Sequence, residues 1–105
     1  MTNAEINLAI AKIEFTGKEL SQCSDHVDVR LGDGDYTCVD YCNNWEDIGP
    51  IIEREEMRLD PLGFCEWEAA FFEEDDGYFE AKWYGHAETP MKAAALCYLK
   101  TQGIE

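Results

Sequence analysis

Apolar residues recur at helical spacing in three segments of the chain. The first segment follows the capping-box sequence Thr2-Asn3-Ala4-Glu5 and keeps one apolar face up to about Phe15. The second begins at Asp47, whose carboxylate is expected to cap a helix that has a proline in its first turn. The third begins at Thr89, continues with proline at the first helical position, and ends at Gly103. These three segments are predicted to be helices.

Alternating apolar and polar residues predict a first β-hairpin in the N-terminal half. Residues 26–31 alternate strictly, residues 32–35 supply Asp-Gly turn chemistry, and residues 36–41 are rich in β-forming side chains. Residues 18–25 are polar and are expected to form a connection. A short strand is expected at residues 57–59, ending at the Asp-Pro-Leu-Gly sequence that follows it.

A second hairpin is predicted between residues 65 and 85. Folding this segment about residues 73–77 aligns both of its faces in one antiparallel register. That register pairs Trp67 with Trp83, Ala69 with Ala81, Phe71 with Phe79 and, on the outer face, Glu68 with Lys82 and Phe72 with Tyr78. The three tryptophans of the chain are expected to lie in the core.

The order of these elements predicts an α+β fold. We expect three helices packed with one antiparallel sheet of four to five strands, in the order α-β-β-α-β-β-α. The chain has 105 residues, of which 46% are apolar and 12% aromatic, and this is enough to form a hydrophobic core. A single domain over residues 1–105 is therefore predicted.

Acidic residues dominate the charge of the chain. There are 23 Asp and Glu against 8 Lys and Arg, which gives a formal net charge of −15 at pH 7. Binding to nucleic-acid phosphates or to an anionic membrane needs an excess of basic side chains, so neither is expected. A protein partner with a basic surface fits this charge better.

The chain has no signal-peptide pattern and its five cysteines are an odd number, so a cytoplasmic location is expected.

Three stretches resemble a known group of bacteriophage proteins. Residues 44–55, Asn-Trp-Glu-Asp-Ile-Gly-Pro-Ile-Ile-Glu-Arg-Glu, are similar to the Asp-Trp-x-x-Gly-Gly-Pro-Ile-Ile-Glu-Arg-Glu block of the NinX-like phage proteins. Residues 67–69 and 89–98 resemble the later strand and the closing helix of that family, in the same order. Residues 5–11 look more like phage proteins grouped as an α-β-α sandwich domain. The resemblance implies a phage accessory protein in the cytoplasm of an infected bacterial host, and it assigns no catalytic residue.

Carboxylates crowd both predicted hairpins, and aromatic residues lie among those of the second. Residues i and i+2 of a strand lie about 6.6 Å apart. This is close to the rise along the helix axis, about 6.8 Å, over two steps of one nucleic-acid strand. We therefore hypothesise a partner-binding surface that mimics nucleic acid. The alternatives are that the carboxylates only keep the chain soluble and that a helix covers the aromatic face. The candidate partner-binding residues are Asp33, Asp35, Glu66, Glu68, Phe72, Glu73, Glu74, Asp75, Asp76, Tyr78 and Glu80.

Two further groups of side chains carry metal-ligand chemistry. The first has oxygen donors suited to Mg²⁺ or Ca²⁺ and consists of Asp28, Asp33, Asp35 and Asp40 with His26. The second has zinc-ligand side chains without the usual Cys-x2-Cys spacing and consists of Cys23-x2-His26 and Cys38-x3-Cys42. Ordinary turn chemistry and incidental thiols are the favoured interpretations. We expect no catalytic residue, no metal and no cofactor.

These observations favour a non-enzymatic inhibitor encoded by a phage. It would bind a host nucleic-acid-binding protein with a basic surface, such as a CRISPR or restriction defence complex, by charge mimicry. One alternative is a phage accessory protein that self-associates, for instance as a homodimer, and has no host-defence target. A less favoured alternative is a metal-dependent hydrolase.

Overall fold

The computed structural model describes residues 1–75 and 77–104, apart from the side chains of Glu74, Asp75, Tyr78 and Phe79. Over these residues the chain forms three helices and six strands, so the predicted α+β class is confirmed. The elements are α1 (Asn3–Glu14), β1 (Leu20–Cys23), β2 (His26–Gly32), β3 (Asp35–Val39), α2 (Trp45–Arg54), β4 (Arg58–Gly63), β5 (Glu66–Asp75), β6 (Tyr78–Ala87) and α3 (Pro90–Thr101).

The strands form two antiparallel sheets of three strands each. The first sheet has the order β1-β2-β3 and the second the order β4-β5-β6. The predicted single sheet of four to five strands is therefore wrong, and so is an element order with two strands before α2. Each helix-bounded half of the chain instead builds a small sheet of its own.

The strands that sequence patterning missed or cut short lie at sheet edges. Leu20 of β1 pairs with Val29, so part of the expected connection at residues 18–25 is a strand. Strand β4 continues past residue 59, and its Pro61 pairs with Trp67. An edge strand has a neighbour on one side only, so it needs little apolar alternation and tolerates the missing N–H of proline.

The helix ends show which side chains cap the backbone. The hydroxyl of Thr2 accepts a hydrogen bond from the Glu5 amide (3.2 Å), and the Glu5 carboxylate accepts one from the Thr2 amide (3.0 Å), as the capping box predicts. Helix α2 differs from its prediction because Asn44 is its N-cap, not Asp47. The Asp47 carboxylate accepts a hydrogen bond from the Asp40 amide (2.8 Å) and so holds the end of β3 against α2.

The predicted register of the β5–β6 hairpin is wrong. Trp67 pairs with Ala87, Phe71 with Trp83, and the register shifts by one residue before Phe72 pairs with Ala81. The strands continue until Asp75 pairs with Tyr78, and the connection contains Gly77 at a φ of 84°. The prediction assumed a five-residue loop over residues 73–77, whereas β5 extends to Asp75. Because residues 73–76 are all acidic in the sequence, hydrophobic alternation could not fix the register there.

The core lies between the helices and the inner faces of both sheets. Val27 and Val29 of β2 are fully buried and belong to the same continuous apolar cluster as Ile6 and Ile10 of α1. Helix α3 packs against β5 and β6 at Gly85. A Cβ atom at Gly85 would lie 2.1 Å from the Ala93 carbonyl oxygen, so helix and sheet approach each other backbone to backbone.

The tryptophan prediction holds for one residue of three. Trp67 packs against the core, whereas Trp45 and Trp83 are 49% and 37% exposed. Trp45 is the first residue of α2, whose buried residues are Ile48 and Ile51. No helix within the described residues is both long and apolar enough to cross a bilayer.

The molecule is elongated because the β5–β6 hairpin is longer than the helix that covers it. Ten-residue strands extend about 33 Å, whereas the twelve residues of α3 extend about 18 Å. The radius of gyration is 14.4 Å, compared with about 13 Å for a compact chain of this size. The tip half of the hairpin therefore projects beyond α3.

Candidate functional surfaces

The outer face of the first sheet collects side chains that carry nitrogen, sulfur and oxygen donors. Because Val27 and Val29 face the core, His26 and Asp28 face outward. Cys23 pairs directly with His26 across β1 and β2. One donor atom each of Cys23, His26 and Asp28 lies within 4.8 Å of the other two, and His26 Nε2 is 3.7 Å from Asp28 Oδ1.

A fully buried asparagine, Asn7, holds two segments together at one end of this sheet. Asn7 Nδ2 donates to the Asp25 carbonyl oxygen and to Asp40 Oδ1, both at 2.8 Å. Asn7 Oδ1 accepts from the Cys42 amide at 3.1 Å. Asp25 lies in the turn between Cys23 and His26, so α1 holds that turn and the end of β3 in place.

Two thiols of the first sheet and the segment after it, Cys38 and Cys42, have raised pKa values. Burial raises the pKa of Cys42 to about 12. Burial and the carboxylates of Asp28, Asp47 and Asp40 also raise the pKa of Cys38. A catalytic cysteine needs a lowered pKa, so neither residue has the environment of a nucleophile.

The predicted metal groups are divided by the fold. His26 begins β2 and Asp33 follows its other end, about 20 Å away along a seven-residue strand. The Asp40 carboxylate is bonded to Asn7 and Asn43. Cys42 is buried, with its Sγ 3.9 Å from the Asn3 carbonyl oxygen, while Cys23 is exposed on the outer face. Neither predicted ligand set therefore forms as a unit.

The carboxylates of the first hairpin lie at its exposed tip. Asp33 has a fully exposed side chain whose Oδ1 is 3.5 Å from Arg30 Nη2. Asp35 begins β3, is exposed, and pairs with Gly32. Both residues are exposed.

The carboxylates of the second hairpin lie on both of its faces. Glu66 is exposed at the start of β5, and Glu68 Oε2 lies within hydrogen-bond distance of His86 Nε2, at 2.8 Å. Glu73 pairs by register with Glu80, on the face opposite to that of Glu68. In the register predicted from the sequence Glu68 and Glu80 would share the outer face, whereas in the structure they lie on opposite faces. Asp76 and the side chains of Glu74, Asp75 and Tyr78 lie outside the described residues.

The outer face of the second sheet pairs its aromatic rings with charged or polar neighbours. The Arg58 guanidinium lies 4.6 Å from the centre of the Phe72 ring. The Tyr84 and His86 rings are parallel, with centres 6.3 Å apart. The predicted pairing of Phe72 with Tyr78 is wrong, since Phe72 pairs with Ala81. Helix α3 packs against the opposite face, and Tyr84 is 40% exposed.

Sequence reasoning missed a polar cluster that joins the three helices. Arg54 of α2 donates to both Glu14 oxygens of α1, at 2.8 and 3.2 Å, and Tyr98 of α3 donates to Glu14 Oε2 at 2.9 Å. Burial and this hydrogen bond raise the pKa of Tyr98 to about 12. No local pattern could have revealed the cluster, because its members lie at least 40 residues apart in sequence.

Comparison with known proteins identifies the family. The model of the family described as Bacteriophage P22, NinX matches residues 1–102. The chain belongs to the NinX family. The match includes residues 5–11 of α1, which in sequence look more like the α-β-α sandwich group of phage proteins. These residues therefore also belong to the part of the chain that the NinX family model matches. No curated protein matches the chain.

Proposed function

We propose that this phage protein binds a basic, nucleic-acid-binding host protein and blocks it by charge mimicry. A CRISPR or restriction complex is the kind of target that would fit. The observation that carries the proposal is the exposure of carboxylates on both hairpins of a chain with charge −15. Asp33, Asp35, Glu66 and Glu80 are exposed, and 8 basic side chains cannot neutralise 23 acidic ones.

The projecting hairpin supports this function. Glu73 and Glu80 face each other directly across β5 and β6, and like charges in such a pair destabilise a sheet by up to about 1 kcal/mol. Lys82 offsets part of that repulsion, since its Nζ lies 2.6 Å from Glu73 Oε2. A partner's lysine or arginine near Glu80 would relieve more of it. The charge pair therefore favours contact with a basic surface.

The aromatic residues of the second sheet supply contact area beside these charges. Phe72 and Tyr84 lie on the outer face, where Glu68 also lies. Interfaces combine aromatic anchors with a polar rim, and electrostatic complementarity sets the rate and specificity of association. We expect the carboxylates to steer the partner and the aromatic rings to contact it.

The test compares two variants of equal charge. The hairpin variant carries Asp35→Asn, Glu66→Gln and Glu80→Gln. The control variant carries Glu46→Gln, Glu53→Gln and Glu56→Gln, which neutralise three exposed residues in and just after α2. Each variant would be tagged and used to capture proteins from a bacterial host lysate, with quantification by mass spectrometry at low and high salt.

We expect the hairpin variant to lose at least about tenfold in capture of the specific partner, because three charge contacts of about 0.5–1 kcal/mol each are removed. The control should stay within about twofold of the wild type. Capture should weaken with salt, and added DNA should compete for the captured protein. Equal capture by all three proteins, or equal loss in both variants, contradicts the proposal. A stable homodimer in light scattering, without any captured partner, would favour self-association.

A further inference from the structure

We propose that Cys23, His26 and Asp28 bind one Zn²⁺ ion on the outer face of the first sheet. The three side chains supply one sulfur, one nitrogen and one oxygen donor. This mixed set suits zinc, whereas Mg²⁺ and Ca²⁺ prefer oxygen donors alone. The inference is independent of the proposed function.

The distances fit a site that closes by small side-chain movements. The three donor atoms lie within 4.8 Å of one another. Zinc bonds of about 2.0–2.3 Å in a tetrahedron place neighbouring donors about 3.3–3.6 Å apart. His26 Nε2 and Asp28 Oδ1 are already 3.7 Å apart. The donor atoms therefore need to approach one another by about 1.5 Å at most, and the fourth corner of the tetrahedron remains for water.

The backbone of β1 and β2 brings the three donor side chains to one face of the sheet, and no bound ion is needed for this arrangement. Cys23 and His26 are cross-strand partners on either side of a tight turn, in which Ser24 has a φ of 58°. His26 and Asp28 alternate with the buried Val27, which fixes their common face. Asn7 donates to the carbonyl oxygen of the turn residue Asp25 and so ties the turn to α1.

The Cys23 thiol is free to take a metal ion. Among the described residues it makes no hydrogen bond or disulfide, and it is exposed. The other cysteine of this face, Cys38, lies on β3, two strands away. Two strand spacings separate the Cα atoms of Cys23 and Cys38 by about 10 Å, which is beyond the reach of a disulfide, about 7 Å. A thiolate and a carboxylate neutralise the charge of Zn²⁺, and the thiol proton is released to solvent.

The test measures binding of Zn²⁺, and of Co²⁺ as a spectroscopic probe, to the untagged full chain kept reduced with a phosphine. We expect one ion per chain, a rise in Tm with Zn²⁺, and a thiolate-to-cobalt charge-transfer band. Cys23→Ser and His26→Gln should each weaken Zn²⁺ binding at least about tenfold and abolish the Tm shift. Cys65→Ser and His86→Gln, an exposed cysteine and a histidine of the second sheet and its β4–β5 connection, are the matched controls and should stay within about twofold of the wild type.

The measurements separate the possible outcomes. Circular dichroism of each variant without metal shows whether it folds, and the control variants keep the test valid if one ligand variant does not. Absence of Zn²⁺ binding to the wild type at millimolar concentration overturns the proposal. Binding that survives Cys23→Ser and His26→Gln overturns it too, because the ion would then lie elsewhere.

Discussion

The two sheets have the same three-stranded antiparallel form but carry different chemistry on their outer faces. On the second sheet, Arg58 covers the Phe72 ring and Glu68 is paired with His86. On the first sheet, Cys23, His26 and Asp28 bring three different donor types together, and the Cys23 thiol has no hydrogen bond within the described residues. On the second sheet, Arg58 and Glu68 therefore already have partners within the sheet. On the first sheet, the three donor atoms are available to a ligand.

The sheets also differ in how they hold their helices. The second sheet meets α3 at Gly85, where backbone lies against backbone. The first sheet meets α1 through apolar side chains and through the hydrogen bonds of Asn7. At Gly85 the close approach of the two backbones leaves no room for a larger side chain. Removal of the buried Asn7 amide would leave the backbone groups that it binds without hydrogen-bond partners. We therefore expect the two halves to lose stability through different kinds of substitution.

The largest effect is expected for Gly85→Ala. The added Cβ would lie 2.1 Å from the Ala93 carbonyl oxygen and 2.5 Å from the Cys97 amide nitrogen, so α3 must move away from β6. We expect a loss of about 3 kcal/mol or more in the free energy of unfolding, measured by urea denaturation. The control is Gly49→Ala in α2, where nothing lies within 4 Å of the added Cβ. It should stabilise the protein by up to about 1 kcal/mol. Equal Cm values for Gly85→Ala and the wild type would rule out the close approach.

The next largest effect is expected for Asn7→Ala beneath the first sheet. The substitution leaves the buried Cys42 amide and the Asp25 carbonyl oxygen without their partner, at a cost of about 1–3 kcal/mol. Urea denaturation measures the loss. Asn43→Ala is the matched control because Asn43 binds the same Asp40 carboxylate but is exposed. It should cost less than about 0.5 kcal/mol. Similar losses in the two variants would show that burial of Asn7 is not decisive.

A smaller effect is expected for Arg58→Met on the outer face of the second sheet. The substitution keeps much of the side-chain length but removes the cation above the Phe72 ring. We expect a loss of about 0.5–1 kcal/mol in thermal or urea denaturation. In a double-mutant cycle with Phe72→Leu, the two losses should not add. Additive losses would show that the arginine and the ring do not interact.

The smallest effect concerns the pH dependence of the α1 cap. The hydrogen bonds from Thr2 hold the pKa of Glu5 below its ordinary value of 4.5. The folded state therefore favours the charged form, so the cap stabilises the protein above about pH 4.5 and loses that contribution as the pH falls through the lowered value. Glu5→Gln and Thr2→Ala should both flatten the pH dependence of Tm between pH 5 and about 3. An unchanged slope in both variants would contradict this role of the cap.

Local signals in the sequence were sufficient for the helix that Thr2 caps and for the alternation of Val27 and Val29 in β2. They failed at Asp47, because Asn44 caps α2 and the Asp47 carboxylate holds a distant amide. They placed Asp33 in the turn of the first hairpin as observed, although Asp35 already belongs to β3. They could not reveal that Cys23 and Asp28 lie near each other, because that requires the pairing of β1 with β2.

The sequence by itself determined the α+β class, the three helices, the acidic hairpins and the NinX family, since these follow from periodicity, capping residues, composition and motif. The tertiary structure decided the division into two sheets, the register of β5 with β6, and the faces on which Glu68 and Glu80 lie. Periodicity fixes which residues of one strand share a face. Only the packing of edge strands and helices fixes which strands meet, because backbone hydrogen bonds pair any two strands of suitable length.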